Sequence, residues 1–188
     1  MEEKIKNIIN ESIAVKEKLA KQSIKDMRKV AELCINSLKN GGKIIFCGNG
    51  GSAADSQHLA TELVVRFKKD RKAIPALALT TNTSALTAIA NDYGYEKVFS
   101  RQLEALANKN DVLIAISTSG KARNVVEAVK KAKDMGVKTI ALTGESGKEF
   151  AKSCDLAIVV NSLDTARIQE SHILIGHILC EIIEDAVC

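Results

Sequence analysis

His58 and Glu62 stand four residues apart, so any helix that carries them projects both from one face, one turn apart. An imidazole and a carboxylate so placed can share a metal ion. Alone, this spacing describes a hydrogen-bonded or solvated pair better than a pair of ligands. A second set of polar groups lies near the C-terminus, where the apolar stretch Ile168 to Ile183 carries Gln169, His172 and His177. Polar groups set into an apolar helix need partners. Eight residues of helix put Gln169 and His177 about 12 Å apart along the axis and roughly 80° apart around it, so both reach one ion only with extended side chains. Taken singly, each histidine reads as a core residue bonded to a carbonyl or carboxylate. Taken together, imidazole, carboxylate and amide oxygen form a donor set that suits zinc.

Two loops add a different chemistry. Gly48-Asn49-Gly50-Gly51-Ser52 and Ser117-Thr118-Ser119-Gly120 each follow a short apolar run and each open a helical pattern. Backbone N–H groups of such a loop and the positive end of the next helix together hold a phosphate. Ordinary Ser or Thr helix caps explain either loop singly. They explain the Ser-Thr-Ser run less well, because one cap needs one hydroxyl. Neither loop is a Walker A or a G-x-G-x-x-G, which disfavours a nucleotide.

The elements that must position these groups follow from periodicity. Short apolar runs at residues 43–47, 76–79, 112–116, 137–142 and 156–160 predict five strands, separated by helix-length segments. Runs apolar on both faces predict a parallel sheet covered by helices on each side, a three-layer α-β-α sandwich of the α/β class. Helices are expected near 53–67, 84–90, 96–108, 123–135, 148 and 166–186, with one or two more between residues 5 and 38. All βα loops then emerge at one sheet edge. Thr80-Thr81-Asn82-Thr83-Ser84 and Asn91-Asp92-Tyr93-Gly94 are expected there as further loops, and four polar loops on one edge describe a pocket for a small polyhydroxylated anion.

A chain of 188 residues with no linker or repeat reads as one domain, 1–188, with residues 1–40 a helical segment packed on it or on a neighbouring subunit. The five cysteines are odd in number and scattered, so reduced buried thiols are expected rather than a disulfide framework. Aromatic residues are 3% of the chain and Trp is absent, which leaves no platform for stacking bases and argues against a nucleic-acid partner. No run approaches a membrane span and no signal peptide is evident, so no membrane partner and a cytoplasmic location are expected. The basic run from Arg66 to Lys72 reads as a solvated helix end whose cations favour the negative terminus.

The combination Gly-Asn-Gly-Gly-Ser-Ala-Ala-Asp with Gln57, His58 and Glu62, then Ala90-Asn91-Asp92, Ser117-Thr118-Ser119-Gly120, and Ala166-Arg167-Ile168-Gln169-Glu170 with His172 and His177, resembles the phosphoheptose isomerases. These belong to the flavodoxin-like SIS (sugar isomerase) fold. The resemblance implies a homotetramer with active sites between subunits, which interconverts sedoheptulose 7-phosphate and D-glycero-D-manno-heptose 7-phosphate on the way to activated heptose for bacterial surface glycans. It assigns one Zn2+ per subunit to His58, Glu62, Gln169 and His177. It assigns the substrate to Asn49, Gly50, Gly51, Glu62, Asn91, Asp92, Ser117, Thr118, Ser119 and Gln169, with Glu62 and His177 catalytic. Ala122 and Ala166 depart from the family, which often has a serine and an acidic residue there. The rival readings are a scaffold of the same fold that binds the replication initiator protein, and a sugar-phosphate sensor.

Overall fold

In the computed structural model, which describes every residue from Met1 to Cys188, five strands form one parallel sheet in the order β2-β1-β3-β4-β5. They are β1 (Ile44–Gly48), β2 (Ala76–Ala78), β3 (Val112–Ser117), β4 (Lys138–Gly144) and β5 (Leu156–Val160). Side chains alternate along them. Ile44, Phe46, Ile114, Ile116, Ile140 and Leu142 enter one core, whereas Ile45, Cys47, Leu113, Ala115 and Ala141 enter the other.

The helices are α1 (Glu2–Gln22), α2 (Ile24–Lys39), α3 (Gly51–Val64), α4 (Thr83–Tyr93), α5 (Ser100–Leu106), α6 (Arg123–Asp134), α7 (Lys148–Lys152) and α8 (Thr165–Val187). Strand order dictates their layers. Crossovers between parallel strands are right-handed, so the step from β1 outward to β2 and the steps from β2 back through β3, β4 and β5 use opposite faces. α3 therefore lies on one face, and α4 to α7 cover the other. After β5 the chain returns to the first face, where α8 packs against α3 and α2. This return brings the two polar helices of the sequence into contact.

Their approach is close. A Cβ at Gly176 of α8 would stand 2.4 Å from Leu59 Cδ2 of α3, so any larger residue requires the buried Leu59 side chain or the helices to shift. Both helices follow strands of a parallel sheet, and they run side by side in the same direction, with Gln169 against Gly51 and His177 against His58.

Of the one or two helices expected at the N-terminus there are two, divided at Ser23 without Pro or Gly, where the Ser23 N–H closes on Leu19 O. Three boundaries differ from expectation. α3 ends at Val64, short of Phe67. The span expected as a helix over 96–108 divides into a 3-10 turn, Tyr95–Lys97, and α5. Asn91, Asp92 and Tyr93, expected in a loop, are the last turn of α4. Gly94, at φ +88°, ends that helix three residues later than the low helix propensity of Asn and Asp suggests.

α2 buries Met27, Val30, Ala31 and Cys34 in the core that also holds α3 and α8. α1 buries only Leu19 and leaves Ile5, Ile8, Ile9 and Ile13 exposed. All five cysteines are free, and Cys34, Cys47 and Cys180 are buried. No helix is long and apolar enough to cross a membrane.

Candidate metal centre and active site

The strand order reverses between β1 and β3, and the two Gly-containing loops leave the carboxyl ends of those neighbouring strands. Ligands of open α/β sheets bind at such a switch point. The helices that follow both loops begin without a side-chain cap: the N-cap of α3 is Gly50 and that of α6 is Ala122. α4 and α8 differ. Asn82 accepts from the Ala85 N–H, and Asp164 accepts from the Ala166 and Arg167 N–H groups. The hydroxyls of the second loop are turned inward to its own turn, with Ser117 Oγ accepting from Gly120 N–H and Ser119 Oγ from Lys121 N–H. α1, α2, α5 and α7 also begin without a side-chain cap; α3 and α6 are set apart by opening from neighbouring strands at one sheet edge, where free N–H groups are able to hold an anion.

The two loops are locked to each other by a pair of amides. Asn49 Nδ2 donates to Asn124 Oδ1 and Asn124 Nδ2 donates back to Asn49 Oδ1, each at 2.8 Å, while Tyr95 Oη donates to Asn49 Oδ1 at 3.2 Å. Asn124 is buried. Sequence reading missed it, because an asparagine inside a first helical turn looks like a weak cap. The third loop is tied in as well, since Gln57 Nε2 donates to Thr80 O.

Two turns along α3 from the first loop, His58 meets His177 of α8. Their Nε2 atoms are 2.9 Å apart, and Glu62 Oε1 lies 3.4 Å from His58 Nε2. One ligand atom from each of the three residues falls within 4.8 Å of the others. This donor set fits zinc. Two nitrogens held by one tetrahedral ion at 2.0–2.1 Å stand about 3.3 Å from each other, so the trio needs to open by only a few tenths of an ångström. Phe67 flanks it, its ring centroid 5.5 Å from that of His177. The His58 side chain is 47% exposed and that of Glu62 23%, so one chain alone does not enclose the trio.

The remaining expected residues spread around this centre. Gln169 places its carboxamide against Gly51 at the mouth of the first loop, two turns from His177. Ser117 is buried, and Thr118 and Ser119 are half-buried. Asn91 and Asp92 are exposed on the end of α4 and hydrogen-bonded to each other rather than to either loop. Asp55, one turn before His58, entered the sequence reading only as the last residue of the first motif, with no role of its own. Burial raises its pKa, opposed in part by the nearby His58, and its Oδ2 has no hydrogen-bond partner.

His172 does not join the trio. It is fully buried with neither ring nitrogen hydrogen-bonded, and burial pushes its pKa down to about 4. The Thr143 backbone lies near it without completing a hydrogen bond, and pulls the other way only in part. The basic run is partly corrected too. Arg71 does sit at the negative end of α3, donating to the carbonyls of Glu62 and Leu63, but its side chain is buried rather than solvated.

Comparison with known proteins shows the family of the chain. Residues 8–144 match the SIS domain family. The phosphoheptose isomerase of Aliarcobacter butzleri is 54% identical over 181 residues, which span 95% of this chain and 96% of that one. The Helicobacter pylori phosphoheptose isomerase is 56% identical over 94% of each chain. The solved structure of the Neisseria gonorrhoeae phosphoheptose isomerase superposes with a TM-score of 0.93 at 45% identity, covering 98% of both chains. With the family model matched over most of the chain and relatives matched nearly end to end in sequence and fold, the chain belongs to the phosphoheptose isomerases of the SIS-domain family and is a sugar-phosphate isomerase.

Proposed function

We propose that the chain interconverts sedoheptulose 7-phosphate and D-glycero-D-manno-heptose 7-phosphate through an enediol. The observation that carries this reading is the meeting of His58, Glu62 and His177 two turns along α3 from an uncapped phosphate cradle. Seven residues of helix from Gly51 to His58 span about 10 Å, which suits an open-chain sugar with its phosphate at one end and its carbonyl at the other.

His58, Glu62 and His177 would hold zinc, and Gln169, whose carboxamide rests against Gly51 two turns away, would have to extend toward the trio to become the fourth ligand. When bound, the ion supplies a Lewis acid that polarises the carbonyl. Asn49, Gly50, Gly51, Ser117, Thr118 and Ser119 bind phosphate and the hydroxyls near it, and Asn91, Asp92 and Gln169 face the chain of the sugar. A group cannot hold the ion and move a proton at the same atom, so Glu62 and His177 act when they exchange from the ion to the substrate: Glu62 takes the C1 proton of the ketose while protonated His177 gives one to O2, leaving the enediol. His177 then accepts the proton of O1 and Glu62 returns one to C2, which leaves the aldehyde at C1. Each group ends in the state in which it began. Proton transfer of this kind is worth about a hundredfold to ten-thousandfold in rate.

Half-exposed catalytic groups leave the enediol open to water. We therefore propose that a second copy of the chain closes the site within a homotetramer in the cytoplasm, with α1 contributing to the contact. Incubation with sedoheptulose 7-phosphate followed by product identification tests the reading. A seven-carbon aldose phosphate is expected. An unchanged ketose, with tight binding of the sugar phosphate, would instead make the protein a sensor.

A further inference from the structure

A buried anion lies two turns beyond His177 on the same face of α8. The Glu184 carboxylate, 1% exposed, accepts the backbone N–H groups of Phe67, Lys68 and Lys69 at 3.0, 2.8 and 3.0 Å and the Nε–H of Arg71 at 2.8 Å. Three successive N–H groups converging on one anion form a nest, the device by which loops bind phosphate, here filled by the chain's own carboxylate. Burial alone would raise the pKa of Glu184. The backbone donors and Arg71 outweigh it and hold the group down at about 2.

Arg71 carries the connection onward. Its guanidinium donates through Nη1 to Leu63 O at 2.8 Å and through Nη2 to Glu62 O at 3.1 Å, so it grips the last turn of α3 at the residue that faces His58. The Arg71 side chain is 4% exposed. Phe67, whose N–H rests on Glu184, lays its ring against that of His177. A buried ion pair is a poor device for stability, since apolar residues often replace one without loss. What this pair does accomplish is to tie three pieces of the site together: the turn of α3 that bears Glu62, the Phe67 segment, and the turn of α8 beyond His177.

We propose that Glu184 and Arg71 are positioning residues for the isomerase site, fixing His58 and Glu62 of α3 relative to His177 of α8. The inference rests on the reading of that trio as the reacting centre. It goes beyond that reading in assigning the precision of the centre to a pair that touches neither substrate nor ion. Lys68 with Glu181 and Lys69 with Asp185 join the same segment after α3 to α8 at exposed positions, where ion pairs add little.

The chain has three histidines, which makes the test direct. Imidazole 15N signals are recorded for metal-free wild type, Glu184→Gln, Arg71→Lys and a control, Val129→Ala, buried in the core on the other face of the sheet. Zinc affinity of each is then measured by competition with a chromogenic chelator. The signals of His58 and His177 are expected to move in both clamp variants while that of His172, on the same helix, stays. Zinc binding should weaken tenfold or more, as is usual when groups supporting metal ligands are lost. Arg71→Lys keeps the charge and serves as the readout should Glu184→Gln unfold. Unmoved His58 and His177 signals in the folded variants, or equal movement in Val129→Ala, overturn the proposal. A wild type with no affinity for zinc but with moved signals in the variants retires the metal reading alone and leaves the positioning role standing.

Discussion

Glu62 and His177 are the side chains whose removal should stop turnover while the fold persists. Glu62→Gln and His177→Ala are each expected to lower kcat by about a hundredfold to ten-thousandfold, with circular dichroism unchanged. Turnover within a few-fold of wild type in either variant removes the proton-transfer assignment. His172 behaves in the opposite manner, as a group of the fold. Its pKa is about 4 in the folded chain against 6.5 for a free imidazole, so the unfolded chain takes up the proton first as pH falls. The stability it contributes is complete above pH 6.5 and is lost progressively toward pH 4, on the order of 3 kcal/mol in all. Urea unfolding across that window should show the fall, and His172→Gln should remove most of it. From the sequence alone, His172 and His177 read alike, as polar residues on one apolar helix. Five residues turn the helix by about 140°, and that rotation sends one ring into the core and the other to His58. Azimuth was legible only once a partner helix was known.

At the scale of elements, the site is a consequence of α3 and α8 lying parallel in contact, and Gly176 permits that contact. Gly176→Val should force α3 and α8 apart, cost about 1–3 kcal/mol of stability in denaturant unfolding, and weaken zinc binding. Undiminished zinc affinity in a folded Gly176→Val protein would show that the trio does not depend on this packing. The strands and the positions of both Gly-containing loops were legible in the sequence, because β-branched runs followed by Gly and hydroxyl residues have few other readings. The end of α4 was not. Asn91 and Asp92 have low helix propensity, and the glycine at 94, free to take a positive φ, held the helix open for three more residues. The Glu184–Arg71 clamp was equally hidden, since one cation in a charged run and one of three acidic residues near the end of α8 carry no sign of each other.

For the molecule as a whole, right-handed crossovers and one reversal of strand order suffice to put the two Gly-containing loops on a single edge and to lay α8 against α3 behind the first of them. Assembly was less legible, because exposed isoleucines on an amphipathic helix state that something covers them without saying what. Ile5, Ile8, Ile9 and Ile13 of α1 are the apolar surface that a second copy is proposed to cover. Ile9→Glu with Ile13→Glu should lower the mass seen by light scattering and reduce turnover together, since an open site admits water. A tetramer unaffected by both changes would place the contact elsewhere. The central claim is that His58, Glu62 and His177 form one metal-dependent centre for sugar-phosphate isomerisation. Its most direct test is the initial rate on sedoheptulose 7-phosphate as zinc is returned to chelator-stripped protein. The rate should start near zero and rise to a plateau at about one ion per chain. A full rate in the stripped protein, unchanged by added zinc, would contradict it.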